Sequence, residues 1–270
     1  MARRLSRILA ALAALLCAGL AHAATAQDVE VDLELVLAVD VSGSMDDEER
    51  LLQRDGYVRA FLHPEVVAAI ASGIQGRIAV SYVEWAGPRS QTLVMPWRLV
   101  DNADTAEAVA AELKQAQSPR IRGTSISAAL AFSSVLFESN GFSGARQVID
   151  ISGDGPNNLG PPVVPMREAV LARGITINGL PVTLHPGTMF GLPAGLLDIY
   201  YEDCVIGGPG AFFVSVQAPE QLAEAIRRKL VLEIAGREPE IVPAQSAQMA
   251  PRIDCLIGEK TRPEFLDENR

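Results

Sequence analysis

The chain is poor in the side chains that build most transition-metal and nucleophilic centres. It has three histidines and three cysteines in 270 residues. His63 and His185, the two outside the first segment, each precede a proline and share no metal-type spacing, so they read as surface or packed residues. There is no Cys-x-x-Cys, no His-Glu-x-x-His, no Gly-x-Ser-x-Gly elbow and no phosphate-cradling loop, so the common redox, zinc-protease, serine-hydrolase and nucleotide motifs are excluded. No apolar run reaches the roughly 18 residues that a spanning helix needs, which argues against an integral membrane protein. Basic residues are also short, 23 against 33 acidic, for a formal net charge of -10. A binder of phosphate backbones shows the opposite balance, so nucleic acid is excluded as the expected partner. With 49% hydrophobic and 21% charged residues, the rest is an ordinary globular composition.

Residues 1–26 read as a secretory signal peptide, with Arg3, Arg4 and Arg7 before the apolar stretch Ile8–Leu20. Ala21-His22-Ala23 and Ala24-Thr25-Ala26 are both small-x-small sites, so cleavage is expected after Ala23 or Ala26. The expected destination is the periplasm or the cell exterior. Cys204 and Cys255 then remain, and an oxidising compartment makes one disulfide between them plausible, against the alternative of two free thiols.

From about Asp32 to Gly236 strand-like and helix-like segments alternate, the pattern of an α/β domain with a mainly parallel, doubly wound sheet and helices on both faces. The domain is set at 27–236, with a Gly- and Pro-rich insertion at 183–210 and a Pro-containing tail at 237–270. Leu33–Val39 is almost wholly apolar and belongs at the sheet centre. Residues 46–71 read as helix, broken near His63-Pro64. Ile78–Trp85 and Thr92–Trp97 read as a hairpin, giving one antiparallel edge strand, with Trp85 and Trp97 as packing residues. Asp104 to Glu107 has the spacing of a capping box opening the next helix. Further helices are expected at 125–138, 165–173 and 219–235, and strands at 147–152, 175–182 and 212–216.

Chemistry concentrates after the first buried strand, in Asp40-Val41-Ser42-Gly43-Ser44. Loops at the carboxyl ends of parallel strands form the binding crevice of such sheets, so Asp40, Ser42 and Ser44 offer three oxygens from one turn, and Gly43 allows the bend. Thr124 sits in a helix-opening loop, and Asp154 lies in the turn that follows the strand 147–152, so both can reach the same crevice. Carboxylates and hydroxyls are hard donors suited to Mg²⁺ or Mn²⁺, with Ca²⁺ less favoured by small hydroxyl ligands. Two carboxylates and three neutral hydroxyls leave a six-coordinate ion unfilled, with room for a partner's carboxylate.

In these five residues the chain resembles the von Willebrand factor A family with its metal-ion-dependent adhesion site. The resemblance covers about residues 32 to 236. It implies a doubly wound sheet with one antiparallel edge strand, metal bound through Ser42, Ser44 and Thr124, and Asp40 and Asp154 bound directly or through water. It also implies that an Asp or Glu of a partner protein completes the shell. More narrowly, the chain resembles an exported proteobacterial group of such proteins with no assigned function. That likeness lies in Leu35-Val36-Leu37-Ala38-Val39-Asp40-Val41-Ser42-Gly43-Ser44-Met45, in Ser152-Gly153-Asp154-Gly155-Pro156-Asn157-Asn158 and in Val205-Ile206-Gly207-Gly208-Pro209-Gly210-Ala211.

Gly43, Ser125, Asn157 and Asn158 are candidates for supporting the ligands or touching the partner. For the two asparagines, closing their own turn is the favoured reading. The acidic run Asp46 to Glu49 reads as charge at a helix N-terminus. In the insertion, Leu184–Leu197 is expected to border the metal site. The alternative is a lid over the sheet edge with Tyr200 and Tyr201 as anchors. The expected function is a non-catalytic, metal-dependent protein-binding module. The alternatives are a structural or assembly subunit stiffened by the metal, and a metal-assisted hydrolase, which lacks a recognisable general base.

Overall fold

The structure, a computed structural model, describes residues 27–43, 45, 47–116, 122–184, 192, 194–236 and 252–261. The leader 1–26, Ser44, Asp46, His185 and most of the centre of the insertion lie outside these residues.

Five strands form the main sheet in the order β4-β3-β2-β6-β7: β2 is Leu33–Asp40, β3 Ile78–Trp85, β4 Gln91–Val100, β6 Gln147–Gly153 and β7 Thr176–Pro181. All neighbours pair parallel except β3 and β4, the expected antiparallel hairpin. A short second sheet pairs β1 (Val29–Val31) with β5 (Phe142–Gly144). β2 is buried along its whole length, as its unbroken apolar run requires.

Two helical layers sandwich the sheet. On one face α1 (Asp47–Phe61), α2 (Pro64–Ala71), α3 (Ala103–Gln115) and α7 (Leu222–Ala235) pack Tyr57, Phe61, Ile70, Val109, Ile226 and Leu230 against Leu35, Leu37 and Val39. On the other, α4 (Ile126–Val135), α5 (Val163–Leu171) and α6 (Ala194–Tyr200) cover Val36, Ala38, Ile149 and Ile151. No helix among the described residues is long and apolar enough to cross a membrane. β2 leads to β3 on one side of the sheet, and β6 leads to β7 on the other. The strand order therefore reverses between β2 and β6, and in doubly wound sheets the binding crevice lies at the carboxyl ends of the strands at such a switch point.

Three expectations change. The cap of α3 is Asn102, two residues before Asp104: its side chain accepts from the Thr105 amide, and the Thr105 hydroxyl takes the Asn102 amide. Thr105 thus fills the role the sequence assigned to Glu107. The helix expected at 165–173 begins at Val163, after Pro162. Residues 212–216 run alongside β7 but make only isolated bridges, Gly179 to Phe213 and Val182 to Val216. The reason is Pro181, which has no amide proton to donate in the middle of the ladder. Bonds on either side of it persist, from Gly179 to Phe212 O, from Val214 to Gly179 O, from Val216 to Pro181 O and from Thr183 to Val216 O.

After α6 the chain widens into a π-helical turn, Tyr201–Val205, and Cys204 there is joined to Cys255 with an S–S distance of 1.99 Å. The disulfide holds residues 252–261, including the short α8 (Ile257–Lys260), against the sheet face that carries α4 to α6. Arg252 pairs there with Glu202 and Asp203. Leu184 and Leu197, the ends of the stretch expected to border the metal site, are both buried, and residues 185–191 between them lie outside the described residues. Tyr200 and Tyr201 are fully buried. His63 accepts from the Glu65 amide at the start of α2, and Trp97 donates to Leu136 O while its ring lies tilted against that of Phe137.

Candidate metal centre

Asp40 is the last residue of β2, at the mouth of the switch-point crevice. The strand lays it beside Trp85 of β3, and its side chain turns the following backbone, with Oδ1 accepting from the Ser42 amide at 2.7 Å. Met45 N–H then donates to Ser42 O at 3.1 Å, and Arg50 of α1 holds Met45 O at 2.7 Å. Asp40 and Ser42 are both buried. Ser44, the third oxygen of this turn, lies outside the described residues.

Thr124 comes from the loop before α4. Gly123 takes φ of +86°, a left-handed conformation that a side chain disfavours, and Leu159 packs where its Cβ would sit. Ser125 caps α4 and donates its amide to Ala86 O at 2.8 Å, fixing this loop to the end of β3. Asp154 follows β6 and is half-buried, and its charge acts on Asp40.

Asn157 and Asn158 do not simply close their own turn. Asn158 Oδ1 accepts from the Thr124 amide at 2.9 Å while its own amide donates to Thr124 O at 2.9 Å. Asn157 Oδ1 accepts from the Ser127 amide at 3.0 Å, and its Nδ2 donates to Pro161 O at 3.1 Å and to Glu259 at 2.8 Å. Its amide donates to the Tyr200 hydroxyl at 3.1 Å. The pair stitches the Asp154 loop to the Thr124 loop, to the end of α6 and to the disulfide-held C-terminal segment. A short side-chain amide suits this because it both donates and accepts. Gly43 is half-buried in the Asp40 turn.

Two site residues were not assigned from the sequence. A Cβ on Gly153 would stand 2.9 Å from the Tyr201 hydroxyl, 3.1 Å from Asp40 Oδ2 and 3.4 Å from the Trp85 ring, so only glycine lets these groups converge. Tyr201 therefore reaches the floor of the site. Glu259 supports it from outside through Asn157. The Tyr-Tyr pair just before a cysteine was the only local sign of either.

The electrostatics set a fully buried acid beside a half-buried one. Burial first, then the charge of Asp154, push Asp40 well above the usual carboxylate range, while hydrogen bonds from Ser42 and the Asp154 backbone pull it back. Burial, followed by the charges of Asp40 and Asp154, likewise pushes the Tyr201 hydroxyl up. Asp40 Oδ2 and the Tyr201 hydroxyl are both buried without a hydrogen-bond partner. An orphaned buried carboxylate oxygen is expensive, and a divalent cation in the crevice would supply what it lacks. No three His, Cys, Asp or Glu side chains cluster to hold a metal among the described residues.

A family model described as a protein of unknown function (DUF1194) matches residues 30–238. The chain belongs to DUF1194. Solved structures place the DUF1194 domain in the von Willebrand factor A fold. Proximal thread matrix protein 1 from the mussel byssus, with a zinc-occupied MIDAS motif, aligns with a TM-score of 0.52 and 14% identity over 76% of this chain and 46% of that one. The pilus adhesin SpaC of Lactobacillus rhamnosus GG, in an open conformation, aligns with a TM-score of 0.53 and 14% identity over 77% of this chain and 31% of its own. The chain thus spans less than half the length of either protein. No curated protein sequence matches it.

Proposed function

We propose that this DUF1194 domain is a divalent-cation-dependent protein-binding module. Asp40, Ser42, Ser44, Thr124 and Asp154 would hold the cation. An Asp or Glu of a partner protein would occupy the coordination position they leave open. The observation that carries this reading is Asp40 itself: fully buried at the switch-point crevice, beside a second acid, with one oxygen unpartnered. The zinc-occupied MIDAS motif of one structural neighbour and the adhesin identity of another support it.

A bound cation supplies a positive centre that accepts a carboxylate. The chain's own residues do the rest. Ser42 orients Asp40, Asn158 fixes the Thr124 backbone, and Asn157 holds the Asp154 loop against α4 and α6. Hydroxyl-rich ligation favours Mg²⁺ or Mn²⁺ over Ca²⁺. The leader-like residues 1–26 fit export, and with it a partner in the periplasm or outside the cell.

Calorimetric titration of the chain with Mg²⁺ and Mn²⁺ tests the site. One ion per chain is expected, lost in Asp40→Ala and in Asp154→Ala. Binding that survives both substitutions would place the metal elsewhere. Capture of a partner in Mg²⁺ and its release by EDTA tests the function; a partner retained in EDTA would refute the coordination mechanism.

A further inference from the structure

A second buried ionic cluster lies between β6 and α7, away from the metal crevice. Lys229 and Glu233 stand one turn apart on α7, Asp150 sits in the middle of β6, and Asn178 is its register partner on β7. All four are at most 3% exposed. Lys229 Nζ lies 2.5 Å from Asp150 Oδ1 and also pairs with Glu233. The Asp150 contact does not have hydrogen-bond geometry, and Oδ1 makes no other bond. Asn178 donates to Glu233 Oε1 at 3.1 Å, and the Phe212 ring covers the amine with its centroid 5.3 Å away.

One ammonium and two carboxylates sealed from water form a costly arrangement, because desolvation opposes every charge in it. Burial raises Asp150 despite the pull of Lys229, and burial with the charge of Asp150 lifts Glu233 to about 7. The cluster therefore contains, at Glu233, a carboxyl whose midpoint lies near neutral pH. Its least charged form is an amine against a carboxylic acid, with a second carboxyl in contact with the amine.

We propose that Lys229 and Asp150 condense into an intramolecular isopeptide bond, with Glu233 relaying the proton. The Nζ lone pair attacks Asp150 Cγ. A Cγ–Nζ bond forms, and one Cγ–O bond breaks. Glu233 takes a proton from Nζ and returns it to the departing oxygen, which leaves as water. No oxidant, reductant or cofactor is needed. Proximity replaces activation: groups held in contact react with effective molarities that free amines and acids never reach. The product exchanges two buried charges for a neutral amide. It ties the last helix of the domain covalently to the strand that ends at the Asp154 loop, and it is independent of whether that loop binds metal.

The test is the intact mass of the denatured, disulfide-reduced chain, measured on protein of sequenced N-terminus. Wild type is expected one water lighter than its sequence, and Lys229→Arg and Glu233→Gln are expected at full mass. Digestion should yield one joined peptide carrying Asp150 and Lys229, with cleavage after Lys229 blocked. Full sequence mass in the wild type would overturn the proposal. So would a lost water that maps elsewhere, such as an imide at Asp154-Gly155.

Discussion

Two acid clusters meet on one strand. Asp150, in the middle of β6, faces Lys229 and Glu233 of α7, and Asp154, just past its end, faces Asp40 of β2. The first carries its own cation. In the second, Asp40 is bonded to no basic side chain among the described residues and keeps one oxygen unpartnered. The fold solves the same electrostatic problem once internally and leaves it open at the crevice. An acid pair neutralised from within is architecture, whereas one left short of charge is suited to an ion from outside.

The contrast breaks most sharply at Lys229. Lys229→Met removes the internal amine, whether it is paired with Asp150 as an ion or joined to it as an amide, and leaves Asp150 and Glu233 buried against each other. Removing one partner of a buried pair costs about 3–5 kcal/mol, so urea unfolding should show a loss of that size. An unchanged midpoint would mean that the cluster is not sealed from water.

The open cluster should respond to an added ion instead. With Mg²⁺ at a hundred times its dissociation constant, binding to the native state alone stabilises the wild type by about 2.7 kcal/mol. Melting temperature with and without EDTA reads this directly, and Asp154→Asn should abolish the difference. Lys229→Met, if folded, should retain it, because its defect lies in the other cluster.

How much of this was legible in the sequence depended on distance along the chain. β2, the hairpin at β3 and β4 and the break between α1 and α2 rest on local patterns: an unbroken apolar run, a short polar connection and a His-Pro step. The Asp40, Thr124 and Asp154 loops could be placed because each follows or precedes a recognisable element. Tyr201 could not, since its hydroxyl approaches Asp40 only after the π-helical turn folds back on Gly153. Glu259 needed the Cys204–Cys255 link to bring it to Asn157. Lys229 reads as one more helix charge until Asp150 is packed beneath it. The irregular pairing of residues 212–216 was decided by Pro181 on the neighbouring strand, not by the segment's own alternation.

A smaller effect sharpens the comparison at Asp40. Its folded value is raised above the ordinary 3.8, so the native state holds this proton longer than the unfolded chain does. The stability it contributes is complete below that ordinary value and is lost as pH rises through the raised one. In EDTA the domain should therefore lose stability with rising pH over that window. Asp40→Asn should flatten the slope and, near neutral pH, stabilise the metal-free domain by on the order of 1 kcal/mol, since a neutral amide replaces a strained charge. Mg²⁺ should remove the same slope in the wild type, and its affinity should fall as acid protonates the ligand. A metal-free domain that is insensitive to both substitution and pH would mean that Asp40 is already neutralised.

The smallest expected effect lies at the outer edge of the site. Glu259 touches no candidate ligand. It accepts from Asn157, which in turn binds Ser127 and Tyr200 and so braces the Asp154 loop. Glu259→Ala removes one hydrogen bond from an exchange with water, a net loss of about 0.5–1.5 kcal/mol. If that bond holds the loop, Mg²⁺ affinity should fall severalfold while the melting temperature in EDTA drops by only about 2–4 °C. Reduction of Cys204–Cys255 should lower Mg²⁺ affinity in the wild type and add little to the loss in Glu259→Ala, because both act through one segment. Full additivity of the two changes would show that the disulfide and Glu259 support the loop by separate routes.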